Sequence, residues 1–291
     1  MIPRRTEWEL MDKITLEREY SPSSCVSNYE ELVARYTSES LAAEDTVHFK
    51  KDLMYDLDSK ECLDLCTTNN PNSPLLIFIH GGYWQFLGKN DSLFPAKSLS
   101  DSGIAYCAID YTLAPKASIS EMLEQCRRSI QWLYKNALKY GYNADQIFLA
   151  GSSAGAHLAA MTILTDWSKY DLPENVIKGG TLLSGVFDLQ PLVKTYINEP
   201  LKLDFEEAKR ISPLFEIKQN DTELIVCWGE NETSEFKRQS IEFEKKWKDM
   251  GNRSSLLEVQ HANHFDIVFF MLDKNCSLSD LMMKQILGEE R

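Results

Sequence analysis

Ile147-Phe148-Leu149-Ala150-Gly151-Ser152-Ser153-Ala154-Gly155-Ala156-His157-Leu158 is the stretch that decides the fold. Four apolar residues read as a strand, Gly-Ser-Ser-Ala-Gly follows, and an apolar, helix-like run continues from Ala156 to Leu164. Gly-x-Ser-x-Gly between a strand and a helix marks a turn so sharp that glycines flank a serine presented above a sheet. Ser153 holds that central place. The helix that starts there points its first N–H groups toward developing negative charge. Ser152 is the competing hydroxyl, one position off the motif's centre, and a Gly/Ser loop that merely ends a strand is the bland alternative.

Outward from this turn, further short apolar runs read as strands: Leu75 to Ile79, Ala105 to Ile109, Gly180 to Ser184, Leu224 to Trp228 and Ser255 to Val259. Cys62 to Cys66 alternates like a strand as well. Helical patterns lie between them. In 118–140 the residues Met122, Cys126, Ile130, Leu133 and Ala137 step by three or four, and Gly141 lies where that pattern stops. Residues 234–250 repeat the pattern with many charges. Tyr29 to Tyr36 is the clearest helical piece of the first forty residues. Alternating strands and helices with near-continuous apolar strands predict a mostly parallel sheet covered by helices on both faces. Residues 186–222, with Pro191, Pro200 and Pro213, are the least regular and are expected to form a small cap over the sheet.

The 291 residues are 43% apolar and 26% charged, so disordered and fibrous classes are excluded. Against 31 basic residues stand 44 acidic ones, a net charge of −13, which argues against nucleic acid and anionic membranes as partners. Residues 1–7 show no apolar leader, so no signal peptide is expected. The uncharged stretch 147–165 carries too many polar groups in its first half to span a bilayer. Seven scattered cysteines without a CxxC pair read as mostly free, buried thiols of a reducing compartment.

His80-Gly81-Gly82-Tyr83-Trp84 follows the strand Leu75 to Ile79 directly. Paired glycines there can offer backbone N–H groups to an oxyanion. His80 reads as a residue that holds this loop. A nucleophilic serine needs a base, and the base an orienting carboxylate, in the order serine, acid, histidine. Of five histidines only His261 and His264 lie late enough. His264 is favoured because an apolar helical run (Phe265, Ile267, Val268, Phe269, Phe270) begins just after it, and His261 is the alternative. Glu230 and Glu232 follow the strand Leu224 to Trp228, and Glu232, three residues past Gly229, is the favoured acid.

The loop His80 to Gln85 and the turn Gly151 to Ala160 together resemble the kynurenine formamidase (arylformamidase) family, in the esterase/lipase branch of the α/β-hydrolases. Tyr20 to Ser23, Asp110 to Lys116, Ser184 to Leu189, Ser234 to Ser240 and His264 to Ile267 are similar to it too. The resemblance runs from about residue 15 to 288. It implies an α/β-hydrolase domain over 46–291, a cap-like insertion at about 186–222, and an N-terminal helical arm, residues 1–45, packed upon it. It implies Ser153 as nucleophile, His264 as base, and the backbone of Gly81, Gly82 and Ala154 as oxyanion donors. The acid falls on Glu232, where the vertebrate members carry Asp. The longer side chain must fold back to reach the imidazole.

The activity implied is hydrolysis of N-formyl-L-kynurenine to L-kynurenine and formate, in tryptophan catabolism. The alternatives are a short-acyl carboxylesterase and a non-catalytic ligand-binding protein of the same fold. Tyr83 and Trp84 are candidates to wall the flat aromatic leaving group. No cofactor and no metal are implied, since acyl transfer by this route needs none. The resemblance further suggests a cytosolic protein, with the nucleus open, and a homodimer.

Overall fold

Valine-, isoleucine- and leucine-rich runs with no polar face can only be satisfied by burial on both sides, and the central strands here are so buried. In the computed structural model, which describes residues 7–288, eight strands form one sheet. They are β1 (Phe49–Met54), β2 (Cys62–Cys66), β3 (Leu75–Ile79), β4 (Ala105–Ile109), β5 (Ile147–Ser152), β6 (Ile177–Leu183), β7 (Glu223–Asn231) and β8 (Ser254–Asn263). Their order is β1-β2-β4-β3-β5-β6-β7-β8. β1 pairs antiparallel with β2, and β2 antiparallel with β4; β4, β3, β5, β6, β7 and β8 are parallel to one another. The N-terminal leader reading concerns residues 1–6 almost entirely, which lie outside the described residues.

Eleven α-helices among the described residues accompany the sheet: α1 (Lys13–Glu19), α2 (Tyr29–Glu44), α3 (Ala96–Asp101), α4 (Ile119–Tyr140), α5 (Ala154–Ile163), α6 (Asn198–Leu201), α7 (Phe205–Arg210), α8 (Pro213–Glu216), α9 (Ser234–Asp249), α10 (Ile267–Phe270) and α11 (Ser277–Leu287). Pleating divides the strands between two cores. Leu75, Ile77 and Ile79 of β3 face the core shared with α4, α5 and α9. Leu76 and Phe78 face the core shared with α3, α10 and α11. The ends of α4 fall where its chemistry puts them. Ser118 and Glu121 form a reciprocal cap at the start, and Gly141 (φ 81°) closes the end.

Several boundaries differ from the sequence reading. β1 was not anticipated, because only Phe49 of its six residues is buried. Charge holds it instead: the Lys89 ammonium, buried, meets Asp52 at 2.8 Å and Asp64 at 3.0 Å, and the Asp52 N–H donates to Asp64. α2 runs eight residues beyond Tyr36, to Glu44, without an apolar stripe, since only Tyr36, Ser40 and Ala43 of it are buried. β6 starts at Ile177, ahead of Gly179 and Gly180, whose missing side chains admit Gln285 and Ile163. β7 and β8 outrun their apolar segments, to Asn231 and Asn263.

Residues 190–216 carry a 3₁₀ turn (Gln190–Lys194) and α6 to α8. α1 is fastened to α9: Thr233 donates to the Glu19 carbonyl, and Tyr20 donates to the Glu235 carboxylate. All seven cysteines are free; Cys66, Cys107, Cys126 and Cys227 are buried, and Cys25 is exposed. Burial pushes the Cys126 thiol up to about 12.

The tightest backbone approach is at Gly155, where a Cβ would stand 2.0 Å from the Ile79 carbonyl oxygen. Gly155→Ala is therefore expected to cost more than about 4 kcal/mol, the range of severe core overpacking. Urea denaturation, or loss of soluble protein on expression, measures it, and a variant of wild-type stability would contradict the packing described.

Candidate active site

The chain must reverse from strand to helix within one residue at Ser153, and it does so with φ 56° and ψ −118°. A non-glycine residue there stores roughly 1–3 kcal/mol of strain, which the surroundings must hold. They do so through contact: a Cβ on Gly151 would lie 2.4 Å from the Gly155 carbonyl oxygen, and Gly155 itself is pressed onto the end of β3. The Ser153 N–H donates to the Leu183 carbonyl at 2.8 Å. Ser153 sits at the tip of the turn and borders the main cavity. Ser152 borders it too, but as the last residue of β5.

The loop after β3 faces this turn. A Cβ on Gly81 would meet the Ser152 carbonyl at 2.8 Å and the Ser153 Cβ at 3.4 Å. Gly82 has φ 93°, and a side chain there would strike the Phe86 carbonyl. The N–H groups of Gly81, Gly82 and Ala154 donate to no protein acceptor among the described residues. His80 is buried, stacked on Tyr111 with centroids 4.2 Å apart, and its Nδ1 lies 2.9 Å from the Gly81 carbonyl. It holds the loop, as its sequence context suggested.

The acid and base come from the ends of β7 and β8. Glu232 Oε2 lies 2.7 Å from His264 Nδ1. Its Oε1 accepts from the Gly229 N–H at 2.6 Å and from the Ser184 hydroxyl at 2.5 Å. Both side chains are almost wholly buried, 1% and 7% exposed. The glutamate thus folds back onto the strand end that precedes it. With Nδ1 engaged by a carboxylate, Nε2 is the imidazole nitrogen left to take and return a proton. His264 borders the same cavity as Ser153, and no hydrogen bond joins their side chains. Such contacts are often long before substrate binds. The rival residues pair with each other elsewhere: the His261 N–H donates to Glu230 at 2.8 Å, and the His261 side chain is 90% exposed.

Trp84 departs from expectation. It is fully buried, edge-on against the His157 ring at 5.1 Å, and does not line the cavity. Positive φ at both Tyr83 and Trp84 coils the loop so that Tyr83 keeps the cavity face while Trp84 enters the core. The Tyr83 hydroxyl donates to the Tyr20 carbonyl.

The cavity, about 300 Å³, is closed by residues that sequence reasoning missed. Tyr29, Val33 and Tyr36 line it from one face of α2, and Tyr196 and Ile197 line it from the irregular segment. The spacing of four and three on α2 was readable, but it is equally the spacing of ordinary packing. Among the described residues, no group of three His, Cys, Asp or Glu side chains could hold a metal ion, and no helix is long and apolar enough to cross a membrane.

Known proteins resemble this chain in sequence and in fold. The family model BD-FAE matches residues 63–247. A kynurenine formamidase of Danio rerio is 36% identical, covering 97% of this chain and 99% of its own. One from Salmo salar is 34% identical over the same shares. Among solved structures, a Silicibacter protein of 25% identity superposes with a TM-score of 0.80, covering 94% of this chain and 98% of that one. A thermostable carboxylesterase from a metagenomic library, 17% identical, gives a TM-score of 0.71 over 91% and 99%, a likeness of α/β-hydrolase fold.

Two outcomes follow from the site. Ser184→Ala removes one donor from Glu232 and should slow labelling of Ser153 by a fluorophosphonate about tenfold with little change in stability, as losses outside the reacting groups do; an unchanged labelling rate would count against the role given to Ser184. Burial lowers His80 and His157 from 6.5 to about 4. Between those values the unfolded imidazole binds a proton that the folded one refuses, so stability is lost as pH falls through that window. Asp110, raised by burial from 3.8 to about 6, acts with the opposite sign, losing stability as pH rises there. Two histidines outweigh one aspartate, so His157→Gln should lose less stability than wild type between about pH 7 and pH 4.5, read as urea midpoints.

Proposed function

The chain belongs to the kynurenine formamidase family, and on that premise we propose that it hydrolyses N-formyl-L-kynurenine to L-kynurenine and formate through a formyl-serine on Ser153. The observation that carries the chemistry is the convergence on one cavity of a serine at a strained turn, a carboxylate-bound imidazole and three unengaged N–H groups. The family carries the substrate.

Ser153 attacks the formyl carbon as His264 Nε2 takes its proton. The oxyanion forms against the N–H groups of Gly81, Gly82 and Ala154, each worth about 3–4 kcal/mol in such sites. Glu232 stabilises the imidazolium and keeps its proton-bearing Nδ1 in place. The imidazolium then protonates the departing arylamine nitrogen, and kynurenine leaves. Water, deprotonated by His264, attacks the formyl-serine and releases formate. Tyr83 and the aromatic face of α2 pack against the aryl ring.

Wild type should release free kynurenine rapidly, followed by absorbance, and Ser153→Ala should reduce the rate by a factor of about 10⁴ or more. p-Nitrophenyl acetate serves as the ester control. Ester cleavage without deformylation would overturn the formamidase reading.

A further inference from the structure

The cavity has one carboxylate in its wall, Asp91, and, among the described residues, no lysine or arginine to answer it. Asp91 is half-buried and ends the short turn Lys89–Asp91. Its Oδ1 accepts the Thr37 hydroxyl at 2.6 Å. No ion pair among the described residues reaches it; the nearby ammonium of Lys89 is taken up by Asp52 and Asp64.

Its surroundings sharpen the charge. Thr37 follows Tyr36 on α2, so the hydroxyl that orients Asp91 belongs to the helix that supplies Tyr29, Val33 and Tyr36 to the wall. Phe94, three residues past Asp91, stacks with Tyr36 at 6.3 Å. A carboxylate partly withdrawn from water gains more from a cation than one in open solvent. Aromatic faces favour a cation at the same place.

We propose that Asp91 receives the α-ammonium group of the amino-acid substrate and so selects formanilides that carry a primary ammonium over those with neutral or anionic tails. The inference rests on the formamidase reading and deepens it. The substrate's carboxylate meets neither lysine nor arginine among the described residues of the lining.

The test compares N-formyl-L-kynurenine with its desamino analogue, 4-(2-formamidophenyl)-4-oxobutanoate. It also measures inhibition of p-nitrophenyl acetate hydrolysis by L-kynurenine and by 4-(2-aminophenyl)-4-oxobutanoate. Asp91→Asn should raise KM for N-formyl-L-kynurenine and Ki for L-kynurenine about tenfold or more, with kcat and both desamino constants nearly unchanged. Equal shifts for both members of a pair, or none, overturn the proposal. Wild type alone supplies a second reading should the variant fold badly: it should bind L-kynurenine about tenfold tighter than the desamino compound, and indifference overturns the proposal. Failure of wild type to cleave N-formyl-L-kynurenine counts against the proposed function, whereas the inhibition arm decides Asp91 separately.

Discussion

The contact between the Gly155 backbone and the carbonyls that end β3 is the constraint on which the site depends. It leaves 2.0 Å for an atom that does not exist. That approach sets the start of α5 directly over the strand that feeds the His80–Gly82 loop. It therefore fixes Ser153 and the Gly81 N–H relative to each other without a side-chain bond between them. Backbone sterics, unlike long side chains, lose no rotamer entropy when they hold a geometry. The strained φ of Ser153 is held by the same contact.

The acid half of the site is built differently, from convergent polar contacts. Glu232 is received by the Gly229 N–H, the Ser184 hydroxyl and His264, which come from three strand ends. Behind it lies a second layer. Gln239 of α9 accepts the N–H groups of Phe187 and Asp188 and donates to the Tyr20 hydroxyl, which in turn reaches Glu235. The Glu235 carboxylate is closed by a forked pair with Arg238. The outlying segments that resembled the family, Tyr20 to Ser23, Ser184 to Leu189 and Ser234 to Ser240, thus meet in one buried network. It touches the site at two points: the Tyr20 carbonyl accepts the Tyr83 hydroxyl, and Phe236 of the same helix segment packs on the His264 ring at 4.4 Å.

Legibility in the sequence follows the range of the physics. The turn at Ser153, the glycines after β3 and both ends of α4 obey rules that act within a few residues, and each was readable. Glu232 and His264 were chosen by their places after the last two apolar runs and by the resemblance, and the structure adds the reason: the competing Glu230 and His261 lie within β7 and β8, do not border the cavity, and satisfy each other. Trp84 was misread because pattern alone does not reveal two consecutive positive φ angles. β1 was missed because a buried ammonium, not an apolar face, holds it. The cavity roof joins residues about 175 positions apart, Ser21 to Tyr196, and no local signal announces such a meeting.

The distribution of thiols gives the protein a spectroscopic handle. Four cysteines are buried, Cys62 and Cys276 are partly covered, and Cys25 alone is exposed. Cys25 closes the short turn Pro22–Cys25, whose Ser23 and Pro22 border the cavity. A maleimide dye meets this sulfur first, since the buried thiols are both shielded and held protonated by burial. The native chain thereby carries its most accessible thiol at the rim of its own pocket, where a fluorophore would register a ligand's arrival without any engineered residue.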